Sequence, residues 1–205
     1  MFAGIVEVVG TVRRGLAGGA GGLSLELPAG LRQRLRVGDS LAVNGCCLTV
    51  VELDATGVVA DVMPETARRT TLAALAAGAA VNCETALAFG APVGGHLLTG
   101  HIDAVGRVAG RRPEGNAVRV TIAVPPPVHR YCVAQGSLAV DGCSLTLAAV
   151  EPKTVTVALI PHTLAVTVAG AYTVGTAVNL EADLVAKYVD RLLEPHRAGA
   201  GRTGS

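Results

Sequence analysis

Three side chains in this sequence could move protons or attack carbon, and each stands where one part of the chain repeats another. Cys47 lies in Val43-Asn44-Gly45-Cys46-Cys47-Leu48-Thr49, and Ser144 holds the same place in Val140-Asp141-Gly142-Cys143-Ser144-Leu145-Thr146. A thiol in one copy corresponds to a hydroxyl in the other. His101 lies in Gly100-His101-Ile102-Asp103-Ala104-Val105-Gly106, which matches Gly4-Ile5-Val6-Glu7-Val8-Val9-Gly10. An imidazole therefore replaces the apolar Ile5 in one copy only. Histidine ordinarily titrates near neutral pH, so the replacement points to proton transfer at one of two related sites; a hydrogen-bonded structural histidine is the other reading. Cys47 can be a thiolate nucleophile, a hydrogen-bond donor or a small buried hydrophobe, and without a Lys or His beside it in sequence the last two are favoured. The glycines ahead of both phrases would let a ligand ring approach the backbone closely, or would simply turn the chain into a core strand.

Pro64-Glu65-Thr66-Ala67-Arg68-Arg69-Thr70-Thr71-Leu72 adds a carboxylate and hydroxyls. That mixture of donors and acceptors suits a polyol, and equally suits a loop capping a helix. His96 and His101 lack the His-Glu-x-x-His spacing of a zinc protease, and on a strand they would point to opposite faces. The cysteines (46, 47, 83, 132 and 143) are odd in number and contain no C-x-x-C, so neither a disulfide framework nor a zinc site follows.

The elements that must position these groups are duplicated. The offset from Gly45 to Gly142 is 97 residues, and Pro64-Glu65-Thr66 against Pro161-His162-Thr163 and Val81-Asn82-Cys83-Glu84 against Val178-Asn179-Leu180-Glu181 keep it. A near-constant offset of almost half the chain signals two tandem domains rather than a solenoid of short repeats. Half of the residues are apolar, 16% are charged and the net charge is +1, which describes a folded globular chain. No Lys/Arg block is dense enough to follow a phosphate backbone, which argues against nucleic acid. The start of the chain lacks a basic n-region and Glu7 interrupts its apolar run, so a cytoplasmic location is the default. Thr154–Leu180 carries no Asp, Glu, Lys or Arg, yet its charged counterpart in the first copy and its Pro161, Gly170 and Gly175 predict buried strands and turns rather than a membrane span.

Short β-branched or alternating runs dominate. Strands are expected at Gly4–Val12, Leu23–Leu27, Ser40–Asn44, Cys47–Leu53 and Val58–Met63, and again at Ile102–Val108, Ala117–Val124, Ser137–Val140, Leu145–Val150 and Thr154–Ile160. This predicts an all-β barrel or sandwich. Gly15–Gly22 reads as a flexible hairpin tip. Short helices are expected at Leu31–Leu35, Val128–Val133 and Leu72–Leu75, and the inter-domain link falls near Phe89–Gly95. In 183–194, Leu184, Tyr188, Arg191 and Leu192 recur at helical spacing beside further apolar residues, a wide stripe that predicts a helix packed on another subunit. The segment 195–205 reads as a disordered tail.

Taken together, Met1-Phe2-Ala3-Gly4-Ile5-Val6-Glu7, Asn44 to Val50, Pro64-Glu65-Thr66, Gly94-Gly95-His96-Leu97, Gly100-His101-Ile102, Asp141 to Thr146 and Asn179-Leu180-Glu181 resemble the riboflavin synthase family, over residues 1 to about 193. The resemblance implies two tandem six-stranded Greek-key barrels related by pseudo-twofold symmetry (residues 1–93 and 94–182) and a trimer-forming C-terminal helix. It implies dismutation of two 6,7-dimethyl-8-ribityllumazine molecules by four-carbon transfer, giving riboflavin and 5-amino-6-ribitylaminouracil, with no metal or redox cofactor. It also implies a homotrimer, an association with lumazine synthase, and an active site between the N-terminal barrel of one subunit and the C-terminal barrel of another. One pocket would use Gly4, Ile5, Val6, Cys47, Leu48, Thr49, Asp61, Val62, Met63, Pro64, Glu65 and Thr66. The facing pocket would use Gly100, His101, Ile102, Ser144, Leu145, Thr146, Ala158, Leu159, Ile160, Pro161, His162 and Thr163, and Ser40 and Asp183 match polar positions. His101 is the first choice for the base that takes a proton from the lumazine C7 methyl, with Ser144, Thr146 and Cys47 relaying protons or activating a nucleophile. Gln135 stands where the family often has Lys, His162 replaces the second Glu, and Leu164-Ala165-Val166-Thr167 lacks the usual basic residue. These departures keep open a non-catalytic lumazine- or flavin-binding antenna, while a cysteine hydrolase built on Cys47 and His101 has no orienting Asn/Asp or oxyanion motif.

Overall fold

A computed structural model describes residues 1–16, 18 and 20–200, with side chains as far as Leu193. Among these residues, twelve strands form two closed antiparallel barrels. The first contains β1 (Val8–Arg14), β2 (Gly21–Glu26), β3 (Ser40–Val43), β4 (Cys46–Leu53), β5 (Gly57–Val62) and β6 (Ala80–Thr85), in the order β1-β2-β5-β4-β3-β6 around the wall. The second repeats it with β7 (Ala104–Glu114), β8 (Ala117–Ala123), β9 (Ser137–Val140), β10 (Cys143–Glu151), β11 (Thr154–Leu159) and β12 (Ala177–Ala182).

Alternation decides what each wall shows. In β4, Cys46, Leu48 and Val50 point into the core, and Cys47 and Thr49 point out. The inward set joins Leu23, Leu25, Leu41 and Val58 in one apolar cluster, matched in the second barrel by Ile122, Leu138, Leu147 and Val157. Register shifts at Val50/Glu52 and Leu147/Ala149 bend the corresponding strands, as barrel closure requires. The sixth strand of each barrel has no distinct periodicity; β6 and β12 are recognisable as strands because each is hydrogen-bonded on both sides, to β1 and β3 or to β7 and β9. Thr154–Leu180 forms a strand, a short helix, a 3-10 turn and a second strand, and among the described residues no helix is long and apolar enough to cross a membrane.

Among the described residues five helices accompany the barrels: α1 (Ala29–Arg32), α2 (Pro64–Arg69), α3 (Pro126–His129), α4 (Pro161–Val166) and α5 (Leu184–Ala200). Thr71–Ala74 is a 3-10 turn, not an α-helix. The Pro-Glu-Thr and Pro-His-Thr phrases open α2 and α4, with proline in the first turn where its missing N–H costs no hydrogen bond. Helix α5 continues through Pro195 to Ala200, past the expected boundary at residue 194, and the end of the expected disordered tail lies outside the described residues.

The barrels meet about a pseudo-twofold axis. Gly45 and Gly142 press together there, both at positive φ (79° and 77°), and a Cβ on Gly45 would stand 2.7 Å from the Gly142 nitrogen. Asn82 and Asn179 cross the axis reciprocally: each side-chain amide donates to the other copy's turn carbonyl, at Asp141 and Asn44, over 2.9 Å. Phe2 and Leu98 form an antiparallel bridge, so the two segments that lead into the barrels run past one another.

Candidate active site

The crossing of those leading segments determines which groups come together. The strap Gly100-His101-Ile102, which leads into the second barrel, lies on the first: the Cys47 N–H donates to the Gly100 carbonyl over 2.9 Å. Gly4-Ile5-Val6 lies on the second barrel, where the Ser144 N–H donates to the Gly4 carbonyl over 2.8 Å. The straps press so tightly that a Cβ on Gly100 would meet Cys47 Cβ at 2.5 Å, and one on Gly4 would meet Ser144 Cβ at 2.7 Å. The grouping expected from sequence is corrected accordingly: His101 belongs with Cys47, while Gly4, Ile5 and Val6 belong with Ser144. Sequence order could not show this, because each strap leaves its own barrel.

The first half-site is a cavity of about 450 Å³ lined by Cys46, Cys47, Glu65, Thr66, Arg69, Thr70, Gly100, His101 and Ile102. Thr49, two residues along β4 from Cys47, is paired with Ser40 on β3 and Asp61 on β5, so these three share the outer face of the wall. Met63, Pro64 and Glu65 are exposed at the mouth, and Glu65 is held by Arg68 and Arg69 at 2.5 Å each. The second half-site has the same plan: Thr146 on β10 pairs with Ser137, Leu145 is half-buried, Ala158, Ile160, Pro161 and His162 are exposed, and Thr163 is half-buried on α4. Three expected contacts are corrected by strand alternation: Leu48, Val62 and Leu159 are core residues facing into the barrels. Gln135 occupies a turn at φ 65°, its N–H donating to the Leu147 carbonyl over 2.8 Å, and its side chain is exposed. The first copy has Gly38 there at φ 94°.

One functional candidate was missed from sequence. His96 Nδ1 lies 2.6 Å from Ser144 Oγ, and its Nε2 is buried without a hydrogen-bond partner among the described residues. Burial holds the His96 imidazole below its ordinary pKa, against the pull of the Asp183 carboxylate. A neutral imidazole with Nδ1 free to accept is the form that can take the Ser144 proton. Only the crossing of the leading segments brings His96 to β10. Asp183 accepts the Val185 N–H over 2.9 Å and so caps α5.

Two buried carboxylates anchor the straps. Glu84 accepts the N–H groups of Ala3 and Gly4 over 2.6 and 3.1 Å; Glu181 accepts those of Thr99 and Gly100 over 2.7 and 3.0 Å. Burial raises Glu84 to about 7, against the backbone N–H groups that stabilise its charge. All five cysteines are free thiols, and burial drives Cys46 and Cys83 well above their ordinary pKa. A larger cavity, about 660 Å³ between Arg107, Val124, His129 and Lys153, includes none of these chemical groups. Size is a poorer guide here than convergent polar groups.

Two closed barrels with matched outer-wall sites, each completed by a strap from the other half of the chain, define a duplicated small-ligand-binding protein. The family model for the lumazine binding domain matches twice, at residues 3–86 and 99–183. Riboflavin synthase of Bacillus subtilis (strain 168) is 38% identical over 204 residues, covering 99% of this chain and 94% of that one. Riboflavin synthase of Mycobacterium tuberculosis (strain ATCC 25618 / H37Rv) is 46% identical over 199 residues, covering 94% and 98%. The crystal structure of LumP complexed with riboflavin superposes with a TM-score of 0.83 at 25% identity, covering 89% of this chain and 99% of that chain. LumP complexed with 6,7-dimethyl-8-(1'-D-ribityl) lumazine gives a TM-score of 0.80, also at 25% identity. The chain belongs to the riboflavin synthase family of tandem lumazine-binding domains.

Proposed function

We propose that this protein is a riboflavin-forming dismutase: two molecules of 6,7-dimethyl-8-ribityllumazine react, one giving and one receiving a four-carbon unit. The observation that carries this is the pair of half-sites with unlike chemistry. Both present the same wall and strap, so both can hold the same heterocycle. The first places Cys47 beside the His101 strap, and the second places Ser144 on His96.

The unlike groups assign roles. At the first half-site His101 takes a proton from the acidic C7 methyl, whose carbanion delocalises into the ring, and Cys47 and Thr49 orient that ring. At the second, His96 accepts the Ser144 proton as the hydroxyl, or a water it positions, adds to the electrophilic ring carbon. Thr146 lies beside it. The polar rows Ser40–Thr49–Asp61 and Ser137–Thr146 offer donors and acceptors to the ribityl chains. Holding both rings face to face removes the entropy of a bimolecular encounter, a contribution of about 7–11 kcal/mol.

The two half-sites belong to different subunits in this reading. Helix α5 exposes Val185, Tyr188, Val189, Leu192 and Leu193, an apolar stripe that suits a homotrimer. The family resemblance extends to an association with lumazine synthase. The test is to incubate the protein with the lumazine and follow riboflavin absorbance and fluorescence. Formation of one riboflavin per two lumazines supports the reading. Tight binding of one lumazine per chain without product replaces it with a LumP-like antenna.

A further inference from the structure

The two straps are held by equivalent carboxylates, but the cations that hold those carboxylates come from different parts of the molecule. In the first copy, Glu7 accepts the Thr85 N–H over 2.7 Å and is ion-paired with Arg34, a residue of the same barrel. In the second copy, Asp103 accepts the Ala182 N–H over 2.8 Å at the equivalent place. The same Asp103 oxygen, Oδ2, lies 2.6 Å from the ammonium of Lys187, one turn into α5. Lys187 and Asp103 are 23% and 25% exposed, enclosed enough for the pair to fix geometry rather than wander in solvent.

Asp103 stands two residues from His101. Its own N–H donates to the Leu180 carbonyl over 2.9 Å, and on the other side of the imidazole Glu181 holds Thr99 and Gly100. The His101 strap is therefore clamped at both ends, and one clamp closes on α5. Among the described residues the strap carrying Ile5 has no such tie; Arg34 serves it from within.

We infer that Lys187 is a positioning residue for His101, acting through Asp103, so that the seating of α5 sets the geometry of the first half-site and leaves the second strap unaffected. An ion pair drawn from α5 makes base placement depend on where that helix lies. A pair internal to the barrel, Arg34–Glu7, does not. The inference rests on the synthase reading only for its activity readout; its structural half does not need it.

Hydrogen exchange on Lys187→Met in the full chain tests the structural half, with Arg34→Met as the reciprocal control. Lys187→Met should speed exchange at the Gly100, His101 and Asp103 amides by about tenfold or more and leave Gly4 and Ile5 at their wild-type rates; Arg34→Met should do the reverse. In the lumazine assay Lys187→Met should lower kcat by about tenfold with little change in KM, and Lys187→Arg should restore most of it. Sedimentation should give one assembly size for wild type and Lys187→Met. Uniform exchange across both straps, an unchanged kcat, or a kcat lost together with the assembly would each overturn the positioning role. If wild type forms no riboflavin, the synthase reading fails while the exchange result still decides the clamp.

Discussion

Replacing Asp141 by asparagine should make the protein more stable at neutral pH and almost unchanged in acid. Asp141 and Asn44 are the same position of the two copies. Both sit at positive φ (45° and 44°) ahead of a glycine, and both accept the N–H of a buried asparagine, Asn179 over 2.8 Å and Asn82 over 2.7 Å. Only Asp141 can ionise. It is 3% exposed, and burial raises its pKa from 3.8 to about 6, against the Tyr172 hydroxyl at 2.6 Å and the Asn179 amide. The folded chain thus holds this proton more tightly than the unfolded chain does. The cost of ionising it is absent below the unfolded value, grows between 3.8 and about 6, and is complete above that. At about 1.4 kcal/mol per pH unit the full cost is about 3 kcal/mol. That cost is already net of the hydrogen bonds from Tyr172 and Asn179, so the variant should gain up to about 3 kcal/mol above neutral pH and almost nothing near about pH 4. Urea unfolding of both proteins at several pH values and one protein concentration measures it. A difference between the two that stays constant from acid to neutral pH, or that shifts further in favour of wild type, refutes burial as the dominant influence on Asp141.

Gly45→Ala should destabilise by about 2 kcal/mol or more, since the new Cβ meets the Gly142 backbone at 2.7 Å and φ is 79°, whereas Gly38→Ala, with φ 94° but open space, should lose only about 1 kcal/mol. Chemical denaturation of the two variants separates close approach from backbone strain. Ser144→Ala and His96→Ala should each lower kcat by about a hundredfold, and the double variant hardly further, because the two act as one unit; steady-state kinetics of all three checks the non-additivity. Cys47→Ser should keep activity within about threefold, the hydroxyl being what the second copy already uses at Ser144, and loss of turnover would restore the thiolate reading. Leu192→Glu should reduce the assembly to smaller species in sedimentation, since Leu192 is 70% exposed on the apolar stripe of α5.

Much was legible in the sequence because alternation and repetition are local properties. The 97-residue offset defined two copies, period-2 runs located ten of the twelve strands within a few residues, and the wide stripe of 183–194 marked α5. The unlike pairs Cys47/Ser144 and Ile5/His101 also came from the sequence, because an asymmetry between copies needs no coordinates. Only tertiary structure decided the rest. β6 and β12 are strands because neighbours on both sides complete their hydrogen bonds. Leu48, Val62 and Leu159 turned out to be core because closure of the barrel fixes which face is inside. Above all, the Phe2–Leu98 crossing sends each strap to the opposite barrel. That places His101 on Cys47's barrel and brings His96 to Ser144, a pairing set by the packing of two domains about an axis that no stretch of sequence contains.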